Sequence, residues 1–225
     1  MVRPSPESGS ISLNSTVLLL RNFLAALSIA SIVPRRFMLQ TGAKFYGIHL
    51  GPTRVPQEES DPRVTLEPNF YYPQEDALFT WCEQHSTSWN TVMPSFILGA
   101  VPDAAMNAAY PLAVYAAVCA HLKQALVYPS DLNSWTMTQV ASSAMINAHL
   151  EEWAVLTENA KDQRFNACDG SPFAWEKTWP RVAAWYGIDY EGPSFDDSAY
   201  TERTTPYDPP PRGYAEQHSR FVKLN

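Results

Sequence analysis

The chain has no excess of basic residues and no basic cluster. Its 16 Lys and Arg stand against 23 Asp and Glu, which gives a formal net charge of −7, and the longest basic run is Arg35-Arg36. A nucleic-acid-binding protein needs a clustered positive face to neutralise phosphates. The composition therefore argues against nucleic acid as the partner.

The sequence also lacks paired cysteines and metal-ligand spacings. Cys82, Cys119 and Cys168 are odd in number and far apart, and no Cys-x-x-Cys or His-x-x-x-His pair occurs. This pattern argues against a disulfide framework and a structural metal. Each cysteine has apolar or aromatic neighbours, so we expect three buried free thiols, no metal and a reducing, cytoplasmic location.

An uninterrupted membrane-spanning run is missing as well. The most apolar segment, residues 16–33, contains Arg21 and Asn22, whereas a spanning helix needs about 20 consecutive apolar residues. Within it, apolar residues recur at helical spacing: Val17, Leu20, Leu24 and Leu27. We interpret the segment as an amphipathic helix of a protein that does not enter the membrane, with an amino-terminal anchor as the alternative.

What is present is an alternation of helices and short apolar strands. Residues 36–41, 88–93 and 164–168 are short apolar runs closed by Gly or Pro, and a helix is predicted from Pro73 to about Gln84. Such alternation is typical of an α/β fold with a parallel sheet.

Three more helices are predicted downstream, over residues 106–122, 138–160 and 172–186. The apolar face of the second comprises Val140, Met145, His149, Trp153 and Leu156. Residues 1–12 are rich in Ser, Pro and Gly and are expected to be disordered, and residues 191–225 to form a mobile tail.

Two segments carry candidate chemistry. Lys44 follows the strand at 36–41, and in a parallel sheet the carboxyl end of a strand is where ligands bind. Tyr71 and Tyr72 stand at the start of the next helix, where a phenol could donate a proton beside an ammonium. Pro73 restricts the backbone of Tyr72, so we favour Tyr71 as the acid and Tyr72 as structural. An exposed loop lysine and two packing aromatics are the alternatives.

The order of motifs from about Leu18 to about Tyr190 resembles one family. The matching blocks are Leu39-Gln-Thr-Gly-Ala-Lys44, Asp61-Pro-Arg63, Asn69-Phe-Tyr-Tyr-Pro-Gln-Glu-Asp76, Trp89, Pro94-Ser-Phe-Ile-Leu-Gly99, Met106-Asn107, Val114-Tyr-Ala-Ala-Val-Cys119, Phe165-Asn166 and Gly170-x-x-Phe-x-Trp175. They resemble the progesterone 5β-reductase and iridoid synthase-like branch of the extended short-chain dehydrogenases. The resemblance implies the later half of an NAD(P)-binding Rossmann domain over residues 13–104 and a helical substrate-binding portion over 105–190.

The resemblance also implies roles. Lys44 and Tyr71, or Tyr72, match the catalytic pair of the family. The residues that match its cofactor contacts are Thr41, Gly42, Lys44, Pro94, Ser95, Phe96 and Ile97. The implied cofactor is NADP(H), with NAD(H) as the alternative, and the implied substrate is an apolar enone or ketone of a specialised metabolite such as a polyketide or terpenoid.

Two departures from the family pattern matter. Val92-Met93-Pro94 lacks the basic residue that the family places before this proline. Nothing like the family's glycine-rich strand–turn–helix, which holds the cofactor pyrophosphate, stands upstream of Phe37. We expect an open sheet edge that a second copy or another protein covers. A catalytically inactive remnant or interaction partner is therefore the alternative to a reductase.

Overall fold

The computed structural model describes residues 6–50, 53–100, 107, 109–130 and 132–193. The α-helices are α1 (Pro6–Ile29), α2 (Tyr71–His85), α3 (Ala109–Leu122), α4 (Leu132–Thr136), α5 (Ala144–Leu156) and α6 (Trp175–Tyr186). The strands are β1 (Arg36–Gln40), β2 (Ser88–Pro94), β3 (Phe96–Leu98), β4 (Leu126–Val127), β5 (Ala141–Ser143), β6 (Gln163–Ala167) and β7 (Tyr190–Glu191). Short 3₁₀ helices cover Ala43–Tyr46 and Glu158–Ala160.

A parallel three-stranded sheet forms the centre of the first compact unit, which comprises residues 6–94 and 148–167 of the described chain. The strand order is β1-β2-β6, with Phe37 opposite Trp89 and Val92 opposite Phe165. The central strand β2 is buried over most of its length. Each of these strands begins and ends within one residue of the apolar run predicted for it. The predicted parallel sheet is therefore confirmed.

Helices α1 and α2 pack together on one face of this sheet. Leu20 and Leu24 of α1 contact a cluster formed by Leu78, Trp81 and Cys82 of α2, and Phe37 of β1 packs against the same cluster. The apolar stripe predicted in residues 16–33 is thus the buried side of α1. Among the described residues, no helix is both long enough and apolar enough to cross a membrane.

The second unit comprises the described residues from 95 to 147 and from 168 to 193. It contains two small parallel pairs, β3 with β5 and β4 with β7. Its core lies between α3, β4 and α6 and is centred on the fully buried Trp179, whose indole N–H donates to the Leu126 carbonyl at 2.9 Å. Trp175 of α6 packs against the same core, whereas Trp185 is exposed.

Several sequence predictions differ from the structure. The helix predicted over 138–160 is instead β5 followed by α5, because the Ser143 hydroxyl accepts the Ile146 N–H and starts the helix there. The apolar face identified in the sequence is exposed, including Met145, Trp153 and Leu156, whereas Asn147 and Ala154 are buried.

The predicted boundaries also differ. The compact units interleave, with residues 148–167 belonging to the first, rather than dividing near residue 104. Helix α1 begins at Pro6, inside the stretch 1–12 that was expected to be disordered. Most of the predicted tail, from residue 194, lies outside the described residues. Cys82 and Cys119 are buried free thiols, but Cys168 is exposed, so its predicted burial is wrong.

Candidate active site at the carboxyl end of the sheet

Strand β1 delivers Lys44 to the carboxyl end of the sheet. Immediately after the strand, the Thr41 N–H donates to the Val92 carbonyl of β2 at 2.8 Å, and the Thr41 hydroxyl donates to the same oxygen at 3.3 Å. The chain then forms the 3₁₀ turn Ala43–Tyr46, which buries Phe45 and exposes the Lys44 side chain. Among the described contacts, the Lys44 ammonium has no carboxylate within 4.0 Å.

Gly42 marks the point where three segments of the first unit meet. A Cβ atom built on Gly42 would lie 2.9 Å from the Tyr71 hydroxyl oxygen and 3.4 Å from the Pro94 carbonyl oxygen. A side chain here would displace the Tyr71 phenol. The end of β1, the end of β2 and the start of α2 therefore converge at Gly42.

The two adjacent tyrosines have different surroundings. The Tyr72 hydroxyl donates to the Phe45 carbonyl at 2.6 Å and accepts the Val64 N–H at 2.8 Å, and its ring is buried against Phe45. Among the described contacts, the Tyr71 hydroxyl has no hydrogen-bond partner. Tyr72 therefore holds backbone segments together, while the phenol of Tyr71 is available to a ligand.

Burial affects the acidity of the Tyr71 phenol. It raises the pKa of Tyr71 above the ordinary value of a tyrosine, so the group is neutral and able to donate a proton at physiological pH. Burial, and next to it the positive charge of Lys44, lowers the pKa of His49. The Lys44 charge therefore acts on His49.

One amide side chain connects the segments that carry Lys44 and Tyr71. The Asn69 Nδ2 group donates to the Lys44 carbonyl at 2.8 Å, and the Asn69 Oδ1 atom accepts the Tyr71 N–H at 3.1 Å. The second bond is an Asx turn that starts α2. Because an amide has both a donor and an acceptor, a single residue fixes both backbones.

A buried ion cluster holds the start of α2 in place. The fully buried Glu75 carboxylate accepts from Arg164 Nε at 2.9 Å and from Arg63 Nη2 at 2.9 Å. The Arg164 guanidinium also lies 5.5 Å from the centroid of the Phe45 ring. Both ends of the loop that connects the Lys44 turn to α2 are thus held against the sheet.

The loop after the Lys44 turn is fixed to the end of β6. The Tyr46 hydroxyl donates to Asn166 Oδ1 at 2.8 Å, and the Asn166 N–H donates to Glu59 Oε1 at 2.9 Å. Burial, partly offset by the bond to Asn166, raises the pKa of Tyr46 to about 12. Tyr46 is therefore a structural phenol that stays neutral.

Among the residues predicted from the sequence, the structure brings Gly42, Pro94 and Tyr71 together, and it connects Lys44 to Tyr71 through Asn69. Thr41 lies beside them with its hydroxyl bonded to β2. Ser95, Phe96 and Ile97 belong to the second unit, where the last two form β3 with a half-exposed Phe96. Their assignment as cofactor contacts stays a prediction.

The sequence analysis gave no role to Asn69 or Asn166, and it did not predict the ion pairs of Glu75. A charged Arg164 inside a predicted buried strand is a signal that a buried acid must pair with it. Nothing local to residue 164 identifies Glu75 as that acid, because the two are 89 residues apart.

The family described as the PRISE-like Rossmann-fold domain matches residues 11–202. The chain belongs to this family. Its resemblance to the progesterone 5β-reductase and iridoid synthase-like reductases is confirmed, and so is its α/β fold class.

Two curated relatives and one solved structure show the extent of the similarity. The chain is 35% identical over 195 residues to the 3-oxo-Δ(4,5)-steroid 5-β-reductase of Arabidopsis thaliana, covering 83% of this chain and 49% of the relative. It is 35% identical over 206 residues to the (S)-8-oxocitronellyl enol synthase CYC2 of Camptotheca acuminata, covering 87% and 50%.

RMD from Pseudomonas aeruginosa, solved with NADPH, has a similar fold with a TM-score of 0.62 at 15% identity, covering 91% of this chain and 66% of that one. The chain spans about half the length of the curated relatives it matches.

Proposed function

We propose that this chain carries the catalytic pair of an NAD(P)H-dependent reductase that acts on an apolar enone or ketone of a specialised metabolite. The observation that carries the proposal is the phenol of Tyr71. It has no partner among the described contacts, and it lies beside Gly42 and the Pro94 carbonyl at the carboxyl end of a parallel sheet. Ligands of such sheets bind at this end.

The residues present fit the nicotinamide end of a dinucleotide. Gly42 has no side chain to fill the space between Tyr71 and Pro94, and Lys44 extends from the adjacent turn with an exposed ammonium. Bound NAD(P)H would supply the hydride. The described residues include no glycine-rich turn that leads into a helix, so they supply no means of holding the pyrophosphate.

In the proposed mechanism, Tyr71 hydrogen-bonds the oxygen of the substrate carbonyl and stabilises the negative charge that develops on it. Its raised pKa keeps the proton on the phenol until that charge develops. Lys44 adds positive charge nearby and stabilises a phenolate after proton transfer. Asn69 keeps the two backbones at a constant separation.

The relatives support the substrate class, since one is named for a 3-oxo-steroid and the other for an 8-oxocitronellyl product. Both names denote apolar carbonyl compounds. A cytoplasmic location is part of the proposal, because all three cysteines are free thiols.

Substitution of the pair tests the proposal. We expect Lys44→Ala and Tyr71→Phe each to lower the NADPH-dependent reduction of a 3-oxo-Δ(4,5)-steroid by about 10²-fold or more, as for other losses of general acid–base groups. The assay follows NADPH absorbance, and NADPH binding is measured separately by quenching of tryptophan fluorescence.

Tyr72→Phe is the matched control. It removes the bonds to Phe45 and Val64 and should lower the free energy of unfolding by about 1–3 kcal/mol, with turnover of the folded fraction retained. Loss of turnover in Tyr72→Phe together with normal turnover in Tyr71→Phe would reverse the assignment.

A further inference from the structure

Helices α1 and α2 meet through a serine, a histidine and a tryptophan whose polar atoms contact one another. The Ser28 hydroxyl oxygen lies 3.1 Å from His85 Nε2, and His85 Nδ1 lies 2.8 Å from the Trp81 carbonyl oxygen. The Trp81 indole N–H donates to the Ser28 oxygen at 2.9 Å. A serine oxygen, an imidazole and a group that orients the imidazole are the components of an activated nucleophile.

The partner of Nδ1 determines the tautomer of His85. A carbonyl oxygen can only accept a hydrogen bond, so Nδ1 carries the imidazole proton and donates to the Trp81 carbonyl. In the neutral imidazole, Nε2 then has a lone pair, and this lone pair faces the Ser28 hydroxyl. The Trp81 and His85 rings are stacked, with centroids 4.2 Å apart and planes at 16°, which holds the imidazole in this orientation. His85 is therefore placed to act as a general base for Ser28.

The surroundings of the Ser28 oxygen favour the loss of its proton. The hydroxyl has one proton and two acceptors within reach, His85 Nε2 at 3.1 Å and the Leu24 carbonyl oxygen at 3.2 Å. The Trp81 indole N–H points at the same oxygen and stabilises the negative charge that develops on it. His85 is the last residue of α2, where the helix dipole favours the imidazolium that forms. Ser28 is exposed, so a reagent can reach it.

This pair is separate from the site around Tyr71. Tyr71 and His85 are the first and last residues of α2, and a helix of 15 residues is about 20 Å long. A substrate carbonyl held at the Tyr71 phenol is therefore out of reach of Ser28. Ser28 and His85 have no part in the proposed reduction.

The backbone after Ser28 limits what the pair can do. The N–H groups of Ala30, Ser31 and Ile32 all donate to carbonyl oxygens of α1. This segment therefore supplies no oxyanion hole, which is the main means by which serine hydrolases reach rapid turnover. The expected reaction is a single acylation of the serine, with slow hydrolysis of the product.

We propose that Ser28 is a nucleophile that His85 activates, and that it is acylated by esters with an apolar acyl group. Ser28 Oγ forms a bond to the ester carbonyl carbon, and the bond from that carbon to the alcohol oxygen breaks. The serine proton passes through His85 Nε2 to the alcohol that leaves. An apolar acyl group is favoured because the exposed side chains of Ile29 and Ile32 flank Ser28 in the chain.

Labelling of the 225-residue chain with p-nitrophenyl butyrate tests the proposal. Release of p-nitrophenolate is followed by absorbance, and the butyrylated residue is identified by mass spectrometry of a digest. We expect about one equivalent per chain, attached to Ser28. Ser31 is the internal control, because it is exposed and has no imidazole contact among the described hydrogen bonds. It should be labelled at least about tenfold more slowly, since it has no general base.

Two substitutions identify the groups. His85→Gln keeps a polar side chain beside Ser28 but removes the base, and it should lower the labelling rate by about 10²-fold. Ser28→Ala should abolish labelling at residue 28 and leave the NADPH-dependent reduction unchanged. A melting curve of each variant checks that α1 and α2 remain folded.

Each outcome bears on the proposal. A preference for Ser28 over Ser31 that is lost in folded His85→Gln would support it. Equal labelling of the two serines, or butyrate attached only to lysine side chains, would overturn it. A preference for Ser28 that persists in folded His85→Gln would also overturn it, because His85 would then not be the base. The comparison of Ser28 with Ser31 uses the unaltered chain, so it decides the proposal even where a variant does not fold.

Discussion

At the residue scale, Asn69 shows how one side chain can have two separable functions. Its Oδ1 atom starts α2, a role that an aspartate also fills, whereas its Nδ2 group holds the Lys44 turn, a role that needs an amide donor. A substitution that keeps the acceptor and removes the donor therefore isolates the contact with Lys44.

We expect Asn69→Asp to keep the free energy of unfolding within about 1 kcal/mol of wild type, since a carboxylate is favourable at a helix start. The Lys44 turn should nevertheless loosen, with faster amide exchange at Phe45 and Gly47. Asn69→Ala should lose both bonds and about 1–2 kcal/mol in urea unfolding. Exchange in Asn69→Asp that matches wild type would show that the bond to Lys44 does not stabilise the turn.

Tyr46 gives a residue-scale pH dependence. Its pKa in the folded protein is raised to about 12, against about 10 in an unfolded chain. Since the folded state holds the proton more tightly, the contribution of Tyr46 to stability is complete below pH 10 and is lost as the pH rises from about 10 to 12.

The measurement is the free energy of unfolding of wild type and Tyr46→Phe between pH 9 and pH 12, taken as a difference so that the other tyrosines cancel. We expect the advantage of wild type to shrink across this range. A constant difference would mean that Tyr46 ionises normally in the folded protein.

At the element scale, the start of α2 depends on charges brought from two other segments. Glu75 is buried and paired with Arg63 and Arg164, so its removal leaves two partly buried guanidinium groups without their anion. Breaking a buried ion pair by removing one partner is strongly destabilising.

Glu75→Gln should therefore lower the free energy of unfolding by about 3–5 kcal/mol. The matched control is Glu58→Gln, because Glu58 is an exposed carboxylate paired with Arg54 at 3.5 Å. That substitution should change stability by less than about 0.5 kcal/mol. Equal effects of the two substitutions in urea unfolding would show that the Glu75 cluster is not a stability determinant.

At the scale of the whole molecule, the reactivity of the three thiols shows whether the cores of both units are closed. Cys82 is buried in the first unit and Cys119 in the second, and burial, assisted by the charge of Asp162, raises the pKa of Cys82 to about 11. A buried, protonated thiol is a poor nucleophile. Cys168 is exposed.

The native protein should therefore react with a disulfide reagent at pH 8 through Cys168 alone, and the chain in denaturant should react through all three thiols. The count is followed by absorbance, and Cys168→Ser, which should leave the native protein unreactive, is the control. Rapid native labelling of three thiols would mean that both cores open readily.

A feature could be predicted from the sequence when the residues that determine it are close together in the chain. Short apolar runs closed by Gly42, Pro94 and Asp169-Gly170 predict strands β1, β2 and β6. Helix α2 could also be predicted, because all of these signals act on their immediate neighbours. The buried stripe of α1 and the motifs around Lys44 and Tyr71 could be identified in the same way, and with them the family.

Only the tertiary structure decided three features. These are which of the two tyrosine hydroxyls is available to a ligand, which acid forms an ion pair with Arg164, and which face of α5 is buried. The apolar stripe of α5 is exposed, because periodicity indicates which residues share a side and not what covers that side. Tyr71 and Tyr72 are neighbours in sequence, but their hydroxyl groups differ in hydrogen bonding because Phe45 and Val64 come from elsewhere in the chain to bond only Tyr72. Partners of this kind are determined by long-range packing, which a local pattern does not encode.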